Sequence, residues 1–204
     1  MTLAENAFVS LDEAKAYLLI KGTDRDAILE DAINRVSDFC EAWCQLGFKK
    51  RDYTAVRCRA QWTPRLYLPA EPIDLTAPVE VLLDGAPLVV WRTSDDGDRQ
   101  LADVLVGSDH PGWPNHLYRA AGWIGLDPEP VEVSYTGGQD PISGELLDAF
   151  YQILAMVWRE QLDKTIEVAQ ATGGAGTGSI TFHETLVPMR AKQTLDWYRA
   201  TRRV

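Results

Sequence analysis

Apolar residues recur at helical spacing near both ends of this chain and alternate through much of its middle. Ser10-Leu-Asp-Glu13 has the form of a capping box, in which the serine hydroxyl accepts from the third helical amide while the glutamate reaches back. Leu11, Ala14, Tyr17 and Leu18 follow on one face, and Gly22 tolerates the positive φ that ends a helix, so a short helix is predicted over residues 10–20. Thr23 then caps a longer helix over residues 23–43, with Asp24 and Asp26 in its first turn, where the helix dipole favours anions. Leu29, Ile33, Val36, Cys40 and Trp43 form its apolar stripe, and Gly47 marks its end. Two helices joined by so short a turn must pack on each other or on a shared partner.

The middle reads as β structure. Residues 52–61 alternate, with Tyr53, Ala55, Arg57, Arg59 and Gln61 opposed to Thr54, Val56, Cys58 and Ala60. Residues 66–68 form a short extended segment, after which Pro69, Pro72 and Pro78 exclude helix and confine pairing to edges. Residues 79–83 and 88–91 flank an Asp84-Gly85 turn and predict a hairpin. A turn at 94–98 and a strand at 101–106 follow; residues 107–130, rich in Gly, Pro and Trp, show no clear period. Val131, Val133 and Tyr135 face one way on a last strand that Gly137 and Gly138 end. Pro141 and Ser143 introduce a helix over residues 144–162, whose stripe of Leu146, Leu147, Phe150, Ile153, Leu154, Val157 and Trp158 suits a sheet or the first helix pair. The glycine-rich residues 171–179 read as a mobile linker, and Pro188 opens a final helix reaching residue 199.

These elements define an α+β chain, mainly α: a helical bundle with an inserted antiparallel β module and an extended C-terminal arm. Its predicted parts are an N-terminal helix pair (1–50), the β-rich insert (51–140), a long helix completing the bundle (141–165), a Gly-rich flexible loop (166–187) and a C-terminal helix or arm (188–204). A length of 204 residues suits one domain, or one domain with an arm, and 46% hydrophobic residues with seven Trp and seven Tyr suffice for a core. No apolar run has the length to cross a bilayer, and the N-terminus lacks a basic-then-apolar leader, so a soluble product of the cytoplasm is expected. A net charge of −10 argues against a DNA-coating role, which needs a basic footprint. The acidity reads either as solubility or as a surface past which DNA slides without sticking. It concentrates in the first two helices, whereas the end of the chain carries Arg190, Lys192, Arg199, Arg202 and Arg203 against Glu184 and Asp196. An acidic body with a basic tail suggests a tail that docks on something acidic.

Candidate chemistry is sparse. Cys40 and Cys44 share a helix face beside Trp43, but Cys58 and the three histidines (His110, His116, His183) do not complete a zinc spacing, so buried free thiols are expected. The glycines of residues 173–178 lack the Lys-Ser/Thr of a phosphate loop and follow a helix instead of a strand. Asp95, Asp96 and Asp98 lack the EF-hand spacing and its distal glutamate and read as a solvated turn. No nucleophile elbow or metalloprotease helix is present. No catalytic residue, cofactor or metal ligand is assigned, and the chain is not expected to be an enzyme. The constellation that stands out is Trp197 and Tyr198 with Arg199, Arg202 and Arg203, preceded by Arg190 and Lys192. It reads either as a frayed helix end with solvated charges or as an anchor, since Trp, Tyr and Arg dominate binding hot spots.

The segments FVSLDEAKAYL (8–18), DRDAILEDAI (24–33), LPAEPI (68–73), YTGG (135–138) before a long helix and the closing YRATRR (198–203) occur in an order that resembles the head–tail connector family. These are the adaptor, or head-completion, proteins of long-tailed bacteriophages and gene transfer agents, and the resemblance covers nearly the whole chain. It implies a structural subunit of the virion neck, made in the bacterial host. In such a neck the subunit repeats as a homo-oligomeric ring of about twelve copies under the portal protein. The ring extends the DNA channel without sequence-specific DNA binding or membrane contact, and receives the stopper or tail-completion protein. The resemblance further implies that residues 188–204 dock on the portal; the aromatic and basic cluster there suggests that deleting them abolishes attachment and leaves the body folded. Two alternatives stay open: a tail-side completion or terminator protein, and a soluble enzyme or regulatory module outside the virion.

Overall fold

The computed structural model describes residues 2–58, 64–83, 85–91, 104–110, 113–119, 123, 131–172 and 187–200, without the side chains of residues 91, 108–110, 113, 161–172 and 200. The fold is α+β and divides into two compact units. One is helical and joins residues 1–45 to 142–204; the other, residues 46–141, holds the strands. The predicted turn at 94–98, the start of the strand at 101, the glycines 173–178 and Arg202 and Arg203 fall outside the described residues.

In the helical unit, α1 (Leu11–Leu18) begins at the expected capping box: Glu13 N donates to Ser10 Oγ at 3.3 Å, and Ser10 N donates to Glu13 Oε2 at 2.7 Å. The helix stops earlier than predicted because Leu19 (φ 56°) takes the left-handed conformation and caps it, three residues before Gly22, which also has a positive φ of 89°. Helix α2 (Asp26–Cys44) starts three residues later than expected, with no side-chain cap at Arg25; Thr23 acts through its carbonyl, which accepts from Asp26 N. Gln45 ends α2 in the left-handed region, ahead of Gly47. Leu29, Ile33, Val36, Cys40 and Cys44 are buried along it, whereas Trp43 is only half-buried. Helix α3 (Gly144–Thr172) runs ten residues past its predicted end, since no glycine or proline interrupts the sequence before Gly173. Helix α4 (Met189–Ala200) begins directly after Pro188, whose carbonyl accepts from Lys192 N. Leu146, Phe150, Ile153, Leu154 and Val157 of α3 are buried, and Phe150 stacks on Phe8 at 5.3 Å.

The strand unit contains β1 (Arg51–Cys58), β2 (Arg65–Tyr67), β3 (Glu80–Leu83), β4 (Ala86–Leu88), β5 (Val90–Trp91), β6 (Val104–His110), β7 (Trp113–Tyr118) and β8 (Val131–Gly137). They form two four-stranded sheets, ordered β1-β8-β3-β4 and β2-β7-β6-β5, antiparallel except for the β5–β6 pair. Val81, Val131, Val133 and Tyr135 of the first sheet and Leu66, Val104, Val106 and Leu117 of the second join one apolar core, with Trp123 buried among them. Strand β8 shows the predicted alternation, buried at every odd position. Strand β1 does not alternate throughout. A bulge between Tyr53 and Val56, with Ala55 at φ 49°, switches faces midway, so Tyr53 stacks on Tyr135 while Val56 and Cys58 turn inward beyond it. The predicted 88–91 strand is also divided: Leu88 closes the β3–β4 hairpin, and Val90 and Trp91 pair with β6 in the other sheet.

The proline-rich segment 68–73 makes isolated bridges in place of a ladder, Ala70 with Gly47 and Ile73 with Gly137. Its carbonyls are still used: Pro69 O accepts from Gly47 N and Pro72 O from Gly138 N. First and last strands of the unit are neighbours, and Gln139 N donates to Phe48 O at 2.7 Å while Lys50 N donates to Gln139 O at 3.1 Å. Gly138 sits at φ +105° against the Lys49 carbonyl, where a Cβ would collide. The ends of this unit therefore lie side by side, the geometry that lets a module sit within another domain's chain. Among the described residues, no helix is long and apolar enough to cross a membrane.

Lys50 and Asp74 pin the entry to β1, with Nζ 2.7 Å from Oδ2. The Lys50 hydrogen bond, then those from the Thr76 hydroxyl and amide, lower the Asp74 carboxyl from 3.8 to about 2. A carboxyl lowered in the folded state stabilises that state above its ordinary value and loses the contribution as pH falls through the folded one. The wild type is therefore expected to lose stability between about pH 4 and pH 2, whereas Asp74→Asn is less stable at pH 7 and converges on the wild type near pH 2. Urea unfolding across this pH range measures the difference.

A candidate interaction face on the C-terminal helix

Helix α4 presents three faces at a repeat of 3.6 residues, and the predicted anchor residues divide among them. The inward face is Ala191, Leu195 and Tyr198, all buried, and the Tyr198 hydroxyl shares a 2.8 Å hydrogen bond with Ser143 Oγ at the start of α3. This segment is thus a packed fourth helix as far as residue 200, held by the same apolar burial that holds α2 and α3. The expectation that removing residues 188–204 would leave the body intact is accordingly revised, because removal would strip the cover from the α2–α3 pair.

A second face, Lys192, Asp196 and Arg199, turns toward Trp43 of α2. Trp43 Nε1 donates to Asp196 Oδ1 at 2.9 Å, and the ring carries Lys192 Nζ at 5.5 Å and the Arg199 guanidinium at 6.0 Å from its centroid. A cation at this distance from an indole contributes about 0.5–1 kcal/mol where exposed and more where water is excluded. Two of the predicted basic anchors are therefore engaged within the bundle. Cys44 lies beneath them, its thiol donating to Leu195 O at 3.4 Å. Burial, then the Asp196 charge, pushes that thiol up to about 12, and burial raises Cys40 further. Both are the inert buried thiols expected from the sequence, and Cys58 is buried as well.

The third face is outward. Arg190, with its side chain 81% exposed, and Trp197, 59% exposed, border an open groove with Gln193 and Thr194; Gly144, Glu145 and Asp148 of α3 form its opposite wall. Asp148 accepts from Gln152 Nε2 at 2.9 Å and lies 3.8 Å from Arg190 Nε, an exposed pair worth about 0–1 kcal/mol. Trp197 meets Tyr198 edge to face at 4.9 Å, which holds the indole upright on a buried neighbour. An exposed indole with two carboxylates and one guanidinium is equipped to bind a partially apolar, partially cationic surface. Among the described residues singled out from sequence, only Arg190 and Trp197 reach this face. Glu145 and Asp148 were missed because their placement depends on which side of α3 receives α4, and periodicity alone does not encode that. Trp43 was read only as part of an apolar stripe, although an indole at a helix end has a donor to satisfy.

No protein-family model matches the chain, and no curated protein matches it either. Solved structures do resemble it. A chain in the virion of a native gene transfer agent (GTA) particle superposes with a TM-score of 0.56 at 14% identity, covering 98% of this chain and 93% of that one. A chain in the neck of an empty GTA particle, computed with C6 symmetry, gives 0.54 at 13% identity over the same shares. One in the neck of a native GTA particle, computed with C12 symmetry, gives 0.51 at 14% identity over 98% and 92%. The likeness is one of fold and spans both units.

The two sides of α4 predict different mutational costs. Leu195→Ala is expected to destabilise the protein by about 2–5 kcal/mol through the cavity it leaves. Trp197→Ala is expected to change stability by no more than about 0.5 kcal/mol. Denaturant unfolding followed by circular dichroism distinguishes them, and equal costs would contradict the assignment of faces.

Proposed function

We propose that this chain is a structural subunit of a virion neck, an adaptor that repeats as a ring under the portal of a tailed phage or gene transfer agent. The ring extends the DNA channel and receives the stopper or tail. The observation that carries this reading is the end-to-end correspondence with chains of GTA necks and virions, which runs through the helices and the inserted strand unit alike. Fold alone does not specify function. Two further features agree with the reading: the apolar and charged groove on α4 is shaped for a protein surface, and a net charge of −10 disfavours adhesion to passing DNA.

The structure changes how such an adaptor would hold the portal. With Lys192, Tyr198 and Arg199 engaged inside the bundle, docking falls to Arg190, Trp197 and the terminal Arg202 and Arg203. The helix would then act as a rigid wall of the bundle.

Disrupting the gene in the producing strain tests the proposal. DNA-filled heads and separate tails are expected, rejoined when the wild-type chain is supplied. Intact, infective or transducing particles made without the chain would overturn it.

A further inference from the structure

Helix α1 ends in a residue that is doubly out of place. Leu19 takes a left-handed conformation (φ 56°), which costs conformational energy in most residues other than glycine, and its side chain is 85% exposed. The turn that holds it is nonetheless well tied. The amides of Leu19 and Ile20 both donate to the Lys15 carbonyl, and the Lys15 ammonium pairs with Asp26 in the first turn of α2. The leucine is therefore held out in water on a fixed elbow between α1 and α2. Residues kept in this backbone region by the structure around them cluster at binding and switch sites.

The neighbouring side chains define the chemistry of the elbow. Tyr17, two residues before the leucine and 47% exposed, stacks on Tyr151 of α3 with ring centroids 4.2 Å apart, which fixes an aromatic edge there. Lys21 and Arg25 are exposed with Asp24 between them, while Lys15 and Asp26 neutralise each other. The elbow thus has a small cationic excess in a chain whose net charge is −10. The outward face of α4 has the converse make-up, an indole with Glu145 and Asp148 against Arg190. It also stands at the other end of α2: Trp43, which donates to Asp196 beside Trp197, lies about 25 Å along the helix from Asp26. A protein bound at one site leaves the other open.

We propose that the α1–α2 elbow is the tail-side docking surface of the adaptor. Its occupant is the stopper or tail-completion subunit, which presents an apolar socket edged with carboxylates. Leu19 enters the socket, Tyr17 covers its rim, and Lys21 and Arg25 meet the carboxylates. The identity of this partner rests on the neck function proposed above, in which the adaptor holds two unlike proteins at once. Because the hydrogen bonds of the turn already fix the leucine, little ordering is lost on docking.

The test adds purified full-length chain to extracts of the gene-disrupted strain, which supply DNA-filled heads and free tails. It reads two quantities: the copies of the chain retained on sedimented heads, and the fraction of heads carrying tails in electron micrographs. The wild type is compared with Leu19→Gly and with Lys21→Glu combined with Arg25→Glu. All three positions are exposed, and circular dichroism verifies that each variant folds. Glycine suits the backbone at position 19, so Leu19→Gly is expected to unfold at the same or a higher urea concentration than the wild type. Both variants are expected to be retained on heads at the wild-type level and to join tails at least tenfold less often. Wild-type tail joining by either variant, or a Leu19→Gly chain less stable than the wild type, would overturn the inference. So would loss of either variant from the heads, the result expected if the elbow contacts a second copy or the portal. A wild-type chain that restores no tailed particles would instead overturn the neck reading, and the elbow assignment with it.

Discussion

The return of the last helix into the bundle is the constraint on which the rest of the structure depends. Ala191, Leu195 and Tyr198 are buried in the helical unit, and each aliphatic or aromatic side chain so covered contributes about 1.5–3 kcal/mol. Net folding stabilities are only about 5–15 kcal/mol, so a handful of such contacts decides whether the bundle forms. This packing also decides which side chains remain for a partner. It draws Lys192 and Arg199 onto Trp43 and Tyr198 onto Ser143, and it leaves Arg190 and Trp197 outside.

A second constraint comes from chain order. The helices belong to two stretches of sequence separated by the whole strand unit. Such an arrangement folds readily only if the intervening unit brings its own ends together, because closure entropy is then lost within a compact sheet. The β1–β8 pairing and the Phe48–Gln139 and Lys50–Gln139 hydrogen bonds do this, aided by Gly138 in a conformation that other residues resist. The central position of β8 between β1 and β3 explains why its alternation is so regular: its inner face is covered along its full length.

Much of this architecture was legible in the sequence wherever local chemistry determined the outcome. The Ser10–Glu13 capping box, the stripes of α2 and α3, the Gly85 turn and the inward Val131, Val133 and Tyr135 all follow from spacing. Features set by tertiary neighbours were not legible. Leu19, Gln45 and Ala55 adopt left-handed conformations that favour glycine, and nothing in their side chains announces it. The bulge at residues 54–55 reverses which side chains of β1 face inward, and the break at Val89 moves the chain from one sheet to the other. On α4, composition identified the aromatic and basic residues, but their division among three faces depends on where α2 and α3 stand. An exposed anchor and a buried strut have the same residues here, and packing alone separates them.

Native-state hydrogen exchange across residues 189–200 tests this account most directly. If α4 is a structural wall of the bundle, its central amides exchange only as slowly as those of α2 around Ile33 and Val36, with a comparable opening free energy. Exchange within the range of fraying termini, while α2 stays protected, would show a loosely attached arm and would contradict the assignment of faces on α4 and the choice of docking residues drawn from it.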